Sequence, residues 1–199
     1  MQIHHNLPHW NYYRLLEQDL EGCFRYVQPC EAHFGVYSDE FARVILIASS
    51  EIENALRTFS SYTQYTPEPS SIHKFHSCLT SFYPKFCEMK LILPRYSLQI
   101  KPWDGWSNTS APDWWSLGYN KIKHDRLNHP TAPTMIRAIT SLGALQVVLL
   151  HFYKKRFPGC FMPFEISPQL LLPWDEDDRN YGAGILWDWR LPDDSIQIS

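Results

Sequence analysis

TMIRAITSLGALQVVLLHFYKKR, residues 134–156, is the stretch that decides the fold. Met135, Ile136, Ile139, Leu142, Leu145, Val148, Leu149 and Phe152 recur at helical spacing, and Ala138, Ala144, Val147 and Leu150 between them are apolar as well. The pattern predicts a long helix buried almost all round, and only the centre of a bundle can receive one. Lys154, Lys155 and Arg156 gather in its last turn, where the helix dipole favours cations, and Pro158 and Gly159 stop it.

A central helix needs partners, and the upstream chain supplies them. Ser38 and Asp39 stand as caps before Phe41, Val44, Ile45, Ala48, Ile52, Ala55, Leu56 and Phe59, which trace one broad apolar face. Pro8 suits a first helical position after Asn6; Trp10, Tyr13, Leu16 and Leu20 then carry a short helix to about Gln18 or Leu20, with Gly22 as its stop. Residues 62–71, with Pro67 and Pro69, read as a loop. Ile72, Phe75, Leu79 and Phe82 support a third helix from Ser71 to Met89, interrupted at Pro84. Pro112 opens a fourth, running to His124.

Between the third and fourth helices the texture changes. Leu91-Ile92-Leu93 and Tyr96 to Ile100 are extended runs on either side of Pro94, expected to form a hairpin or to pair with Cys23-Phe24-Arg25-Tyr26-Val27. That last run, β-rich and ended by Pro29, reads as an edge strand. The fold class that follows is mainly α: a helical bundle of about four to five helices, a small β element at residues 90–106 and an irregular C-terminal tail. Residues 1–159 form the expected helical domain. Residues 160–199, with the acidic run Asp175-Glu176-Asp177-Asp178 and with Trp187 and Trp189, form an extension packed on it.

Composition narrows the function. The 199 residues carry a formal charge of -3, so nothing draws the whole chain to a polyanion and any nucleic-acid contact rests on a local basic patch. Five scattered cysteines, odd in number and without a C-x-x-C pair, fit reduced structural thiols, and hence a cytoplasmic setting. The start of the chain lacks a signal-peptide pattern, and its apolar runs read as shorter than a membrane span, so no membrane association is expected. His4, His5 and His9 read as a polar terminus, and His73, His76 and Cys78 lack a second ligand pair, so neither metal nor cofactor is expected. There is no G-x-S-x-G elbow, phosphate-binding loop or dinucleotide fingerprint.

The concentrated chemical signal is Trp114-Trp115-Ser116-Leu117-Gly118-Tyr119-Asn120-Lys121-Ile122-Lys123-His124-Asp125-Arg126. An imidazole that titrates near neutral pH, a hydrogen-bonding amide and neighbouring cations are what metal-independent phosphodiester cleavage requires. The imidazole moves the proton, and the cations hold the charged phosphorane. The same residues admit a structural reading. In that case Trp114, Trp115 and Tyr119 pack into the core, Asn120 and His124 bond the following loop, and Lys121, Lys123 and Arg126 complement the helix end.

The W-W-x3-Y-N-x-I-K-H-x-R pattern, followed by a short loop and a long apolar helix, resembles the last two helices of HEPN-type domains. The resemblance spans residues 36–156, and Asn120 and His124 match the Asn and His of the family signature R-N-x3-H. It implies an RNA-associated helical domain of the kind found in toxin–antitoxin and phage-defence systems, a homodimer, and an antitoxin or operon-encoded partner. The activity implied is metal-independent endoribonuclease cleavage. His124 would be the acid/base, Lys123 and Arg126 the phosphate holders, and Asn120 the orienting group, with Lys121 and Tyr119 on the substrate side. Tyr119 occupies the place of the signature Arg, for which Lys121, Lys123 or Arg126 would have to substitute. HEPN-like domains with altered motifs imply the alternative, a non-catalytic unit that binds a partner or dimerises. Glu53 and Arg57, one helical turn apart, either pair with each other at the surface or face the basic cluster, as an acidic and basic pair does in some HEPN-type proteins.

Overall fold

The computed structural model describes residues 7–157 and 168–174. Among them the helices are α1 (Pro8–Cys23), α2 (Asp39–Thr63), α3 (Ile72–Phe82), α4 (Asn120–Asp125) and α5 (Met135–Arg156), and a small sheet is made of β1 (Lys90–Leu93), β2 (Leu98–Ile100) and β3 (Leu172–Trp174). The mainly helical class with one small β element is as expected.

The central helix is α5, in which every residue from Ser141 to Tyr153 is buried, Gln146 and His151 included. Its length and composition alone would suit a membrane crossing, which corrects the expectation that no apolar run approaches that length; its most apolar window is 83% buried inside the fold, as the core helix of a bundle is. Against α5 lie α1 and the long α2. The latter begins where Ser38 Oγ accepts the Phe41 N–H at 3.1 Å and ends with Gln64 in the left-handed conformation at φ 54°.

The sheet has the order β2-β1-β3, both pairings antiparallel, so that Leu91 stands between Ile100 and Pro173. Proline cannot donate to a ladder, and Pro173 is tolerated because β3 is an outer strand, where it also blunts the edge. The sheet packs on α5 at Gly143. A Cβ there would stand 2.9 Å from Ile100 Cδ1 and 3.0 Å from Leu91 Cδ1, so only glycine allows this approach without displacement.

Several expectations are corrected. Helix α1 passes through Gly22 to Cys23, and Cys23 to Val27 is a helix end and turn rather than a strand: the Phe24 N–H bonds Glu21 and the Val27 N–H bonds Cys23. Local bonds satisfy this backbone, and Phe24 meets the β region only through its ring, 5.5 Å from that of Tyr96. The hairpin partner comes instead from residues 172–174. Helix α2 continues to Thr63, past the expected loop start, while α3 stops at Phe82 because Tyr83, preceding Pro84, is held out of helical conformation at ψ 82°. His4, His5, Cys160, the run Asp175 to Asp178, Trp187 and Trp189 lie outside the described residues.

Candidate functional site

The site begins in tryptophan packing. Trp103 Nε1 donates to the Ala144 carbonyl at 3.1 Å and Trp114 Nε1 to the Pro102 carbonyl at 2.7 Å, so each buried indole has its one donor satisfied. Trp114 meets Trp103 edge-on at 5.3 Å and Trp115 at 5.6 Å, and Trp115 leans on Tyr119 at 4.8 Å. The helix that carries these rings is wide at this point: Trp114–Tyr119 is a π-helical turn, and α geometry runs from Asn120. Wide turns of this kind are rare and concentrate at functional positions.

Arg137 fastens the turn to the start of α5. Its Nε donates to Asp113 at 2.7 Å and a terminal nitrogen to the Ala132 carbonyl at 2.9 Å, while its stem crosses Gly118, where a Cβ would lie 3.3 Å from Arg137 Cδ. Neither Arg137 nor the wide turn was foreseen from the sequence; Gly118 inside a helical run was the available signal.

The motif then divides by face. Ile122 and Tyr119 point inward and are buried. Lys123 folds back over Tyr119, with its Nζ donating to the hydroxyl at 3.0 Å and standing 4.9 Å from the ring centroid. That hydrogen bond, helped by the charge of Glu53, holds the Lys123 ammonium above its ordinary pKa. Arg126, just past the end of α4, is drawn to Asp39 in the first turn of α2. Both of the expected phosphate-holding cations therefore already have intramolecular partners.

Asn120, Lys121 and His124 differ. They share the outward face, Asn120 and His124 one turn apart, with Asn120 and Lys121 half-buried and His124 exposed. Among the described residues none of these three side chains forms a hydrogen bond or ion pair with the protein. The loop contacts that a purely structural role would give Asn120 and His124 are therefore not made; Asn128 turns instead to Asp125, at 2.8 Å. Leu117, 47% exposed, precedes this face, and Leu127, 92% exposed, follows it.

Of the early-helix pair, Glu53 comes to the Lys123 side and makes no ion pair with Arg57, which is exposed on α2. The structure thus brings Tyr119 and Lys123 together, with Glu53 near enough for its charge to act on Lys123 but not bonded to it, sets Asn120, Lys121 and His124 on an adjoining free face, and directs Arg126 toward Asp39. Asp39 has no sequence signal as a site residue beyond its first-turn position. Among the described residues no group of three or more His, Cys, Asp or Glu is arranged to hold a metal ion. Comparison with family models, with curated proteins and with solved structures returned no match.

Proposed function

We propose that this is a HEPN-like, RNA-associated protein whose outward α4 face contacts the RNA backbone, with His124 as the acid/base of a metal-independent endoribonuclease. The observation that supports it is the pairing of Asn120 and His124 on one exposed face, with their polar atoms uncommitted to the fold. In the reaction the His124 imidazole takes the proton of a ribose 2′-OH, the 2′-oxygen attacks phosphorus, and the 5′-oxygen leaves with a proton. The products are a 2′,3′-cyclic phosphate and a 5′-hydroxyl. Asn120 orients the phosphate and Lys121 offsets its charge.

A second copy completes the site in this reading. Leu117 and Leu127 flank the polar face, and their burial in a homodimer would set two His124 residues across one cleft, one to accept a proton and one to return it. An antitoxin-type partner belongs to the same proposal and rests on the motif resemblance, and a cytoplasmic setting belongs to it on the scattered, unpaired pattern of the cysteines.

The rival reading, a non-catalytic binding or dimerising unit, is favoured by the commitment of Lys123 to Tyr119 and of Arg126 to Asp39. One experiment separates the two. Wild-type protein and His124→Ala are incubated with total RNA in chelator, and the ends are examined for cyclic phosphate. Cleavage by the wild type that disappears in the variant supports the nuclease. RNA binding by gel shift, without cleavage by either protein, supports the rival.

A further inference from the structure

Residues 168–174 are held by the bundle in the manner of a peptide ligand. The contacts read the segment's main chain. The N–H groups of Gln169 and Leu170 donate to Glu17 Oε1 at 2.9 and 2.8 Å, and that of Leu171 approaches the same oxygen at 3.5 Å. Gln146 Nε2 donates to the Leu171 carbonyl at 2.9 Å, and Leu172–Trp174 lies antiparallel to Lys90–Ile92. Leu170 and Leu171 sink into the apolar core, and Pro168 and Pro173 are buried at either end. Main-chain bonds for affinity with side-chain pockets for selection are the two components of recognition by strand addition.

Glu17 is what distinguishes this slot from ordinary packing. A carboxylate at 2% exposure is costly to bury, and its local partners are the Arg14 guanidinium and the Tyr13 hydroxyl, the latter at 3.1 Å. Its remaining acceptor capacity is directed at the backbone of a segment about 150 residues further along the chain. Gln146 supplies an independent sign: its side chain is fully buried, its Nε2 is spent on the Leu171 main chain, and its Oε1 has no hydrogen-bond partner among the described residues.

We propose that the slot between Glu17 on α1, Gln146 on α5 and the β3-facing edge of β1 is a docking site for a peptide of the form Pro-x-Leu-Leu-x-Pro, bent where its N–H groups converge on Glu17 and extended where it pairs with β1. Residues 168–174 are its tethered occupant, and a peptide of the same chemistry binds in trans once the tethered copy is displaced. This stands independently of the role given to α4. A tether gives its ligand an effective concentration in the millimolar range, so a free peptide at micromolar levels does not compete with the intact segment.

The test uses the full chain carrying Leu170→Asp and Leu171→Asp, which places carboxylates over the apolar floor and expels the segment. A fluorescein-labelled peptide PQLLLPW is titrated and followed by anisotropy. Saturable binding to the double variant, at least tenfold weaker to the wild type and abolished by adding Glu17→Leu, is the expected result. Absence of saturable binding to the folded double variant overturns the proposal. If circular dichroism shows that variant unfolded, amide hydrogen exchange of wild type against Glu17→Gln decides. At least tenfold faster exchange confined to residues 169–174 and the facing edge of β1 supports the site. Unchanged exchange, or acceleration spread through α2 and α5, overturns it.

Discussion

Lys123 Nζ donates a 3.0 Å hydrogen bond to the Tyr119 hydroxyl, so the residue standing where a signature arginine is expected receives a cation instead of supplying one. Tyr119 is 4% exposed and its ring leans on Trp115, an environment shaped for an aromatic side chain. Restoring the signature is therefore predicted to do harm. Tyr119→Arg would bury a guanidinium beside the Lys123 ammonium and should cost about 2–3 kcal/mol in urea unfolding, with no gain in RNA cleavage. A variant as stable as the wild type would show that the slot accepts charge.

The outward face of α4 makes a separate prediction about salt. Lys121 is uncommitted whereas Lys123 is held by Tyr119, so Lys121→Ala should reduce the slope of log K against log salt for RNA by about 0.7–0.9, the contribution of one phosphate contact. Lys123→Ala should leave the slope within error. Binding titrations between 50 and 200 mM salt, about the range over which such slopes are read, provide the measurement, and equal effects of the two variants would contradict the division of faces.

Acid should weaken the bundle through His151. Its ring is fully buried between Tyr83 and Phe86, Nδ1 donates to the Val147 carbonyl at 2.7 Å, and burial pushes its pKa down to about 3. The unfolded chain takes up this proton below about 6.5, while the folded chain refuses it until about pH 3. Stability from this group is thus fully present above the unfolded value and falls as pH drops through the window, by up to about 1.4 kcal/mol per pH unit. Urea midpoints at pH 7 and pH 5 should show the loss, and His151→Leu should flatten it.

At Gly143 the sheet and α5 touch with no space for a side chain, the nearest atom to an added Cβ being Ile100 Cδ1 at 2.9 Å. Gly143→Val should destabilise by about 1–3 kcal/mol through overpacking. Thermal unfolding checks it, and an unchanged midpoint would mean that the hairpin moves aside freely.

The bundle was legible wherever the apolar period stood alone. Phe41 to Phe59 and Met135 to Phe152 mark α2 and α5 because nothing local competes with the helix there, and Pro94 marks the hairpin because it cannot continue either strand. The third strand was hidden for the opposite reason: Pro173 argues against a ladder position, and its partner Leu91 lies far away in sequence. The supposed strand at Phe24 failed because β-branched and aromatic character without a partner yields to local turn bonds. Within the motif, the burial of Trp114, Trp115 and Tyr119 was readable from residue type alone. The commitment of Arg126 to Asp39 was not, because it depends on where α2 begins relative to the end of α4.

The wide turn at Trp114–Tyr119 has a consequence for rotational phase. Relative to a regular helix it accommodates about one additional residue per turn, and one residue corresponds to about 100° of rotation. It therefore decouples the azimuth of the indoles from that of everything after Asn120. The aromatic wall can be set by packing, while the Asn120 and His124 face is aimed by the turn. In this chain the direction in which the motif faces is encoded by spacing as much as by residue identity.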